Sequence, residues 1–469
     1  MSFVVYDIVF MVLFTLAVII FLYTRKHNLQ RQGLLYLYKT KVGLKIIEYI
    51  SEKYFKLLKP LQYLVLASGY LLLFFMLWFL VKFTYFYITS SYAAKALKVP
   101  VIFPLIPYLP EIFKVDFLPP FYFTYWIIII AIIAIPHEFA HGIFARLNKV
   151  KIHSTGFGFL GPFLAFFVEQ DEKHMNKASR FSQLSILAAG TFANVLMTIL
   201  FGIIMWLFFI SAFTPAGVFF STYSTSVIQI QGVDKIGNIS IDDFSQYPNL
   251  LDLKSRFIEV TTKDNKTYFT NPSIVESSIE QNLEYLIVYD NSPAFKSRIE
   301  GAITSIDGKK ITSYNELRNA ILEHKPGDIV KIKTISDKKI NEYEIQLAEK
   351  DGNAFLGIGV SPPRASGFLG WIYSLISKIK DPFVYYKSSI GDLGIFIYNL
   401  LWWIVIVNIS VALTNMLPVG IFDGGRFFML SIWSLTGSRK IGENAFKIST
   451  WLILVLLFLL MLKWAFAVF

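Results

Sequence analysis

The chain has 469 residues, of which 55% are hydrophobic and 16% are charged, against about 25% charged residues in ordinary soluble proteins. This composition excludes a conventional water-soluble enzyme, and an aromatic content of 17% excludes intrinsic disorder. The absence of cysteine excludes disulfides, thiolate zinc sites, iron–sulfur clusters and thiol nucleophiles. Any metal must therefore be held by imidazole and carboxylate groups, and only six histidines are available.

The net charge of +11 is distributed unevenly. Residues 212–370 contain 17 basic and 20 acidic side chains, whereas the other basic residues lie between long apolar runs. This placement indicates membrane topology and not a phosphate-binding face, so we expect no nucleic-acid partner.

The apolar runs predict a polytopic α-helical membrane protein with about six spans. A bilayer core about 30 Å thick is crossed by about 20 apolar residues in a helix. The candidate spans are residues 10–24, 61–81, 121–147, 184–213, 393–422 and 449–469. The run 393–422 is uncharged over 30 residues, which is too long for one span, and Pro418 is expected to end or kink its helix.

Lys and Arg in the short loops predict the orientation of the spans. Three alternate loops, 25–60, 146–180 and 418–441, contain 18 of these residues, whereas 88–120 and 371–391 contain three each. Because basic loops stay in the cytosol, the N-terminus and the segment 212–370 are expected outside it, in a multi-pass protein of the cell membrane.

These features divide the chain into four predicted regions. They are a two-span N-terminal region at 1–120 with a basic cytosolic loop, a first half of a membrane core at 121–211, an extracytoplasmic insert at 212–370, and a second half of the core with the C-terminal span at 371–469.

The insert is expected to be α/β in its second part. Short β-rich stretches at 285–289, 302–306, 329–335 and 343–347 alternate with turns and one helix at 315–324. The string Ser292-Pro-Ala, Gly301-Ala-Ile-Thr-Ser-Ile-Asp-Gly and Pro326-Gly-Asp resembles the PDZ domains of membrane-associated proteases, over about residues 282–360. The resemblance implies a domain that binds peptides or proteins. Residues 214–281 give a less clear pattern, and their fold is not predicted.

The sequence His137-Glu138-Phe-Ala-His141 lies inside the third apolar span. Residues four apart share a helix face, so both imidazoles can reach one zinc ion, and Glu138 can act on water as general base. Ionisable groups in a span are costly and by default suggest function. The alternative is structural: two histidines in a helix bundle, with Glu138 paired to one of them.

Asp423 is the candidate third metal ligand. It is a lone acid after a long uncharged run, in Asn415-Met-Leu-Pro418-Val-Gly-Ile-Phe-Asp423-Gly-Gly. Pro418 breaks the helix and the two glycines allow a tight turn, which can bring the carboxylate back toward a neighbouring helix. It would lie at the cytosolic end of its span, as would His137 and His141. The alternative is that Asp423 only caps the next helix.

The glycine-rich segment after the motif span predicts a re-entrant β-hairpin. Residues 156–168 are apolar but too short and too rich in glycine for a spanning helix, with glycines at 156, 158 and 161. Non-helical backbone is tolerated at membrane depth where protein covers it or water reaches it. Such a hairpin could offer a strand edge to an unwound substrate, so Gly156, Gly158 and Gly161 are candidate substrate-binding residues. An ordinary interfacial loop is the alternative.

Together these motifs resemble the site-2 protease family of intramembrane zinc metalloproteases, over about residues 121–433. The resemblance implies one zinc ion per chain, held by His137, His141 and Asp423, with Glu138 as catalytic base and transmembrane proteins as substrates within the bilayer. It implies that Asn415 positions the substrate. The segment Ala188-Ala-Gly-Thr-Phe-Ala-Asn194 resembles the family's Ala-Gly-Pro-x-x-Asn, with Thr191 in place of proline, and makes Asn194 a substrate-binding candidate.

Three other interpretations stay open on sequence alone. A prenyl-protein endopeptidase or HtpX-like enzyme would take its third ligand from a downstream glutamate, of which Glu169 and Glu172 are the nearest. A non-enzymatic receptor or scaffold would use the PDZ-like domain to capture peptides. A transporter would use intramembrane charges as an ion relay, although here the charges cluster in two spans.

Overall fold

The computed structural model describes residues 3–33, 35–89, 105–113, 115, 118–160, 163–237, 239–240, 257–280, 283–336, 339–360, 374, 377 and 379–468. The chain divides into two units. The helical unit comprises Met1–Phe209 and Ile395–Phe469, and the inserted unit comprises Ile210–Gly394. The inserted unit contains the predicted insert 212–370.

The helices, in chain order, are α1 (Phe3–Thr24), α2 (Leu44–Lys53), α3 (Phe55–Thr89), α4 (Leu109–Ile112), α5 (Phe123–Leu147), α6 (Glu172–Lys177), α7 (Arg180–Ala212), α8 (Pro272–Glu280), α9 (Pro293–Lys296), α10 (Tyr314–Leu322), α11 (Asp392–Asn415), α12 (Asp423–Thr436) and α13 (Arg439–Val468).

The strands, in chain order, are β1 (Leu29–Gln32), β2 (Leu35–Thr40), β3 (Ile152–Leu160), β4 (Phe163–Gln170), β5 (Phe213–Val218), β6 (Thr222–Tyr223), β7 (Thr225–Gln229), β8 (Val233–Ile236), β9 (Ile239–Ser240), β10 (Ile258–Thr262), β11 (Thr267–Thr270), β12 (Tyr285–Asp290), β13 (Ala302–Ile306), β14 (Lys309–Lys310), β15 (Ile329–Ser336), β16 (Lys339–Gln346), β17 (Ala348–Lys350), β18 (Asn353–Phe355), β19 (Ile358–Gly359) and β20 (Val384–Ser388).

Among the described residues, six helices are long and apolar enough to cross a membrane: α1, α3, α5, α7, α11 and α13. This confirms the predicted number of spans. The break predicted at Pro418 is also present, because α11 ends at Asn415 and α12 begins at Asp423. Between the two helices the chain turns tightly, because Val419 N donates to Leu417 O and Phe422 N donates to Val419 O.

Helices α3, α5, α7 and α12 contribute buried side chains to one hydrophobic core. Small residues bring the helices close: a Cβ on Gly69 of α3 would lie 2.8 Å from the Cβ of Ala188 on α7. The buried amide of Gln62 joins three helices, because its Oε1 accepts hydrogen bonds from Asn148 Nδ2 at 2.9 Å and from Ser185 Oγ at 3.0 Å. No function was predicted for helix α3 from the sequence, but its hydrogen bonds hold it against α5 and α7.

Helix α1 is attached to the start of α5 by one buried carboxylate. Asp7 is 1% exposed and accepts hydrogen bonds from the backbone N–H groups of Phe123 and Thr124, at 2.7 and 2.9 Å, and from the hydroxyls of Thr124 and Tyr108. The first N–H groups of a helix lack partners within that helix. Asp7 supplies acceptors for two of them from another helix.

The helical unit also contains a four-stranded antiparallel sheet in the order β1-β2-β3-β4. The hairpin predicted over residues 156–168 corresponds to β3 and β4; whether it enters the bilayer stays a prediction. The pairing of β2 with β3 was not predicted. The alternation Leu35-Tyr-Leu-Tyr next to Gly33, which has a φ of +61°, is the signal for the first hairpin.

The inserted unit contains two larger sheets, ordered β7-β12-β11-β10-β8-β9 and β16-β15-β13-β5-β20, with β14 added to β13. The predicted strands at 302–306 and 329–335 are β13 and β15, and the predicted helix at 315–324 is α10. This helix begins at Ser313, whose Oγ accepts a hydrogen bond from Glu316 N, a capping arrangement. No fold was predicted from the sequence for residues 225–280. These residues supply strands β7–β11 of the first sheet and helix α8.

Candidate metal centre

The two motif histidines lie one helical turn apart on α5 and face the same side. Their Nε2 atoms are 3.1 Å apart, and the residues are 7% and 6% exposed. The i,i+4 spacing alone accounts for this proximity. His137 and His141 therefore present two nitrogen donors to one point within the helical core.

Asp423, the first residue of α12, completes the group. Its Oδ2 lies 3.4 Å from His137 Nε2 and 3.2 Å from His141 Nε2. The carboxylate reaches this position because α12 starts against the preceding turn. A Cβ on Gly424 would lie 2.6 Å from the carbonyl oxygen of Leu417 and overlap the backbone of Met416. The two glycines after Asp423 are thus required by close backbone packing.

The donor set fits a zinc ion in size and chemistry. All three donor atoms lie within 4.8 Å of one another. Zinc bonds of about 2.0–2.1 Å in a tetrahedron separate the ligand atoms by about 3.3–3.4 Å, close to the observed distances of 3.1, 3.2 and 3.4 Å. Two imidazoles and one carboxylate leave one of four positions open, the arrangement of catalytic and not structural zinc sites.

Gly190 of α7 keeps the space beside these donors free. A Cβ at this position would lie 2.6 Å from His137 Nε2 and even closer to His141 Nε2. Any side chain here would fill the cradle between the two rings. Gly190 was not among the predicted site residues, although it lies within the small-residue segment that ends at Asn194.

Helix α7 also contacts the opposite ring nitrogen of each histidine. The Nδ1 of His141 lies 2.7 Å from the carbonyl oxygen of Ile186. Because a carbonyl only accepts, Nδ1 carries the proton and Nε2 is left with its lone pair directed at the donor group. The Nδ1 of His137 lies 3.1 Å from Nδ2 of Asn194, which is fully buried.

Glu138 faces the edge of the sheet. Its Oε2 accepts a hydrogen bond from the backbone N–H of Val168 in β4, at 3.0 Å. This N–H points away from β3, the strand to which β4 is paired. In an antiparallel ladder alternate residues point the same way, so the N–H and C=O groups of Phe166 and Leu164 also face the edge of β4 that pairs with no strand among the described residues.

The remaining predicted site residues that the structure describes lie in the sheet and at the end of α11. Gly156 and Gly158 are in β3, which is paired on both sides, so their backbone has no free edge. Gly161 lies outside the described residues. Asn415 is the last residue of α11 and is partly buried. Contact of these residues with a substrate stays a prediction.

The alternative third ligands are engaged elsewhere. Glu169 forms an ion pair with Lys39 at 2.6 Å, which, with a hydrogen bond from Ser154, holds the pKa of its carboxyl below the usual range. Glu172 lies 3.7 Å from Arg426. Within the part of the chain that the structure describes, the group of three side chains placed to share one metal ion is His137, His141 and Asp423. This disfavours the prenyl-protein endopeptidase and HtpX-like interpretations.

Comparison with known proteins agrees with this geometry. Residues 125–461, which contain all three donors and Glu138, match peptidase family M50. The chain belongs to peptidase family M50. Among similar proteins, one from Borreliella burgdorferi named "Putative zinc metalloprotease" is 23% identical over 409 residues, covering 68% of this chain and 91% of that protein. An uncharacterized protein of Methanocaldococcus jannaschii is 27% identical over 246 residues, covering 50% of this chain and 61% of that protein.

Membership of M50 and the six apolar helices identify a multi-pass membrane protein of a metallopeptidase family. The family match begins at Tyr125, so α1 through α4 lie outside it. These N-terminal elements nevertheless contact the family region through Gln62 and strand β2. Asp7 contacts the first residues of α5, just before the match begins.

Proposed function

We propose that this M50 member is an intramembrane zinc metalloprotease of the site-2 type, which hydrolyses peptide bonds within or near the transmembrane helices of other membrane proteins. The observation that carries the proposal is the convergence of His137, His141 and Asp423, from two helices, at zinc-ligand spacing beside Glu138. The apolar helices around this group support a reaction inside the bilayer.

The chain's own residues would divide the work as follows. His137, His141 and Asp423 hold one zinc ion, which when bound supplies Lewis-acid polarisation and lowers the pKa of water to about 7. Glu138 takes the proton from the attacking water and returns it to the leaving amine. Asn415, at the end of α11, orients the substrate carbonyl.

The free edge of β4 suits an extended substrate. A helix hides its carbonyls in internal hydrogen bonds, so a transmembrane substrate must unwind before water can attack. The backbone groups of Leu164 and Phe166 face this edge, as does the Val168 N–H, which donates a hydrogen bond to Glu138. A strand added here would extend the sheet and run past the catalytic glutamate.

The inserted unit would select substrates as a PDZ-like domain. A cavity of about 270 Å³ lies between α10 and residues 355–358, lined by Leu317, Ile321, Arg318 and Lys350 among others. Its apolar wall and two cationic side chains, with Asp351 beside them, suit a peptide segment. The basic loops support a position of the metal centre near the cytosolic side of the cell membrane, with the inserted unit outside the cytosol. This orientation suits regulated intramembrane proteolysis.

The proposal is tested on the full chain purified in detergent. We expect about one zinc per chain and cleavage of a single-span membrane substrate by the wild type. E138Q should keep the zinc and lose cleavage, because the amide holds the space but accepts no proton. Zinc-free wild type, or full turnover by E138Q, would overturn the proposal; zinc-free protein that binds peptides would favour the receptor alternative.

Natural substrates are found by a second experiment. Membrane proteins that accumulate in cells carrying E138Q, but not in cells carrying wild type, are the expected substrates. If full-length membrane proteins do not accumulate while cleavage is abolished in vitro, the role in regulated proteolysis fails even though the enzyme chemistry stands.

A further inference from the structure

Asn194 is a buried amide with one unused oxygen. The residue is 0% exposed, its Nδ2 lies 3.1 Å from Nδ1 of His137, and its Oδ1 has no hydrogen-bond partner. A buried acceptor without a partner costs about 1–3 kcal/mol. It therefore calls for a ligand or a second state of the side chain.

The two orientations of this amide correspond to the two tautomers of His137. With the NH₂ group toward the ring, Nδ1 must accept, and the ring proton lies on Nε2, where it blocks metal binding. Rotation of the amide by 180° brings Oδ1 to Nδ1, which then donates its proton and frees the Nε2 lone pair. The rotated orientation also gives the unused oxygen a partner.

The neighbouring histidine provides a precedent within the same site. Nδ1 of His141 is held by the carbonyl of Ile186, a pure acceptor, also from α7. Asn194 stands in the equivalent relation to His137. It lies four residues after Gly190, on the face of α7 that meets both rings.

We propose that Asn194 is a positioning residue that fixes the metal-binding tautomer and ring orientation of His137 by accepting the Nδ1 proton through Oδ1. The inference rests on the proposed function, since it requires that the donor group bind zinc. Asn194 would then act through His137, a proposed metal ligand, and not by contact with the substrate.

The test measures zinc affinity, by competition with a chelator, for the full chain in detergent. N194L removes the acceptor at similar volume and should weaken zinc binding about 10–100-fold, the usual effect of losing such a partner. N194D keeps an acceptor and should bind within about threefold of wild type or tighter. The matched control is N408L, because Asn408 is also fully buried with an unpartnered Oδ1, but its Nδ2 donates to Ile404 O in its own helix.

The outcomes separate the inference from the proposed function. If wild type and N408L bind zinc and N194L binds equally well, Asn194 does not position His137. Equal loss in N194L and N194D would indicate packing alone, and a changed KM at unchanged zinc affinity would return Asn194 to substrate contact; both overturn the proposal. If N194L does not fold, N194D still tests the proposal, because a tenfold loss of zinc affinity in N194D would contradict it. If the purified wild-type chain binds no zinc, the proposed function itself is contradicted.

Discussion

The backbone N–H of Val168 donates a hydrogen bond to Glu138, at 3.0 Å, and so the proposed base is held against the last strand of the sheet β1-β2-β3-β4. The same N–H is one that an added substrate strand would use. Under the proposed function, orientation of the base and docking of the substrate would therefore involve one short stretch of β4.

Substitution V168P removes this N–H without removing a ladder bond, because the group points away from β3. We expect kcat to fall about 10–100-fold, the range for a lost hydrogen bond to a charged group. The control F166P removes an edge N–H that Glu138 does not use and should raise KM with little change in kcat. Steady-state cleavage of a membrane substrate measures both; unchanged kcat in V168P would mean that the contact has no part in catalysis.

Gly190 should tolerate no side chain. G190A puts a methyl group between the two ring nitrogens and is expected to abolish zinc retention and cleavage together. G202A, in the same helix, meets nothing within 4 Å and should keep both while adding up to about 1 kcal/mol of helix stability. Metal analysis of the two purified variants checks this, and normal zinc in G190A would show that the cradle is not the metal site.

Loss of the Asp7 carboxylate should destabilise the helical unit. D7A leaves the N–H groups of Phe123 and Thr124 without their acceptors, and removal of a cap costs about 0.5–2 kcal/mol. The control T15A removes a hydroxyl that, among the described residues, donates a hydrogen bond to Met11 O in its own helix. Thermal unfolding in detergent should show a lower midpoint for D7A than for T15A; equal midpoints would mean that the cap contributes nothing to stability.

We expect Asp171, which lies outside the apolar helices, to make the stability of the protein depend on pH. The backbone N–H of His174 and the neighbouring His153 and His174 side chains lower the pKa of its carboxyl to about 2. A carboxyl whose pKa is lowered by folding stabilises the protein above its unfolded value, 3.8, and loses that effect as the pH falls toward 2. The difference in unfolding midpoint between wild type and D171N should therefore shrink between pH 4 and about 2. A constant difference would assign the effect to packing.

The sequence predicted those parts of the site that depend on local spacing. His137 and His141 follow from helical periodicity, and the position of Asp423 follows from Pro418 and the two glycines, which force a turn at a definite point. The six spans follow from composition, because a bilayer leaves few alternatives for long apolar runs.

Contacts that join distant segments could not be predicted in this way. The pairing of β2 with β3, the cap supplied by Asp7 and the amide bridge at Gln62 each connect residues more than 80 positions apart, and no local pattern fixes which partner they meet. The role of Gly190 was missed for the same reason. A glycine in an apolar helix is read as a packing residue until the facing side chains are known.

The β2–β3 pairing has a consequence for biosynthesis. Strand β2 is translated before the second apolar helix, whereas β3 follows the third. A nascent chain thus exposes β2 as an open template while two hydrophobic helices are still entering the bilayer. Unpaired strand edges invite wrong partners, so insertion of this protein has a vulnerable interval that ends only when β3 leaves the ribosome.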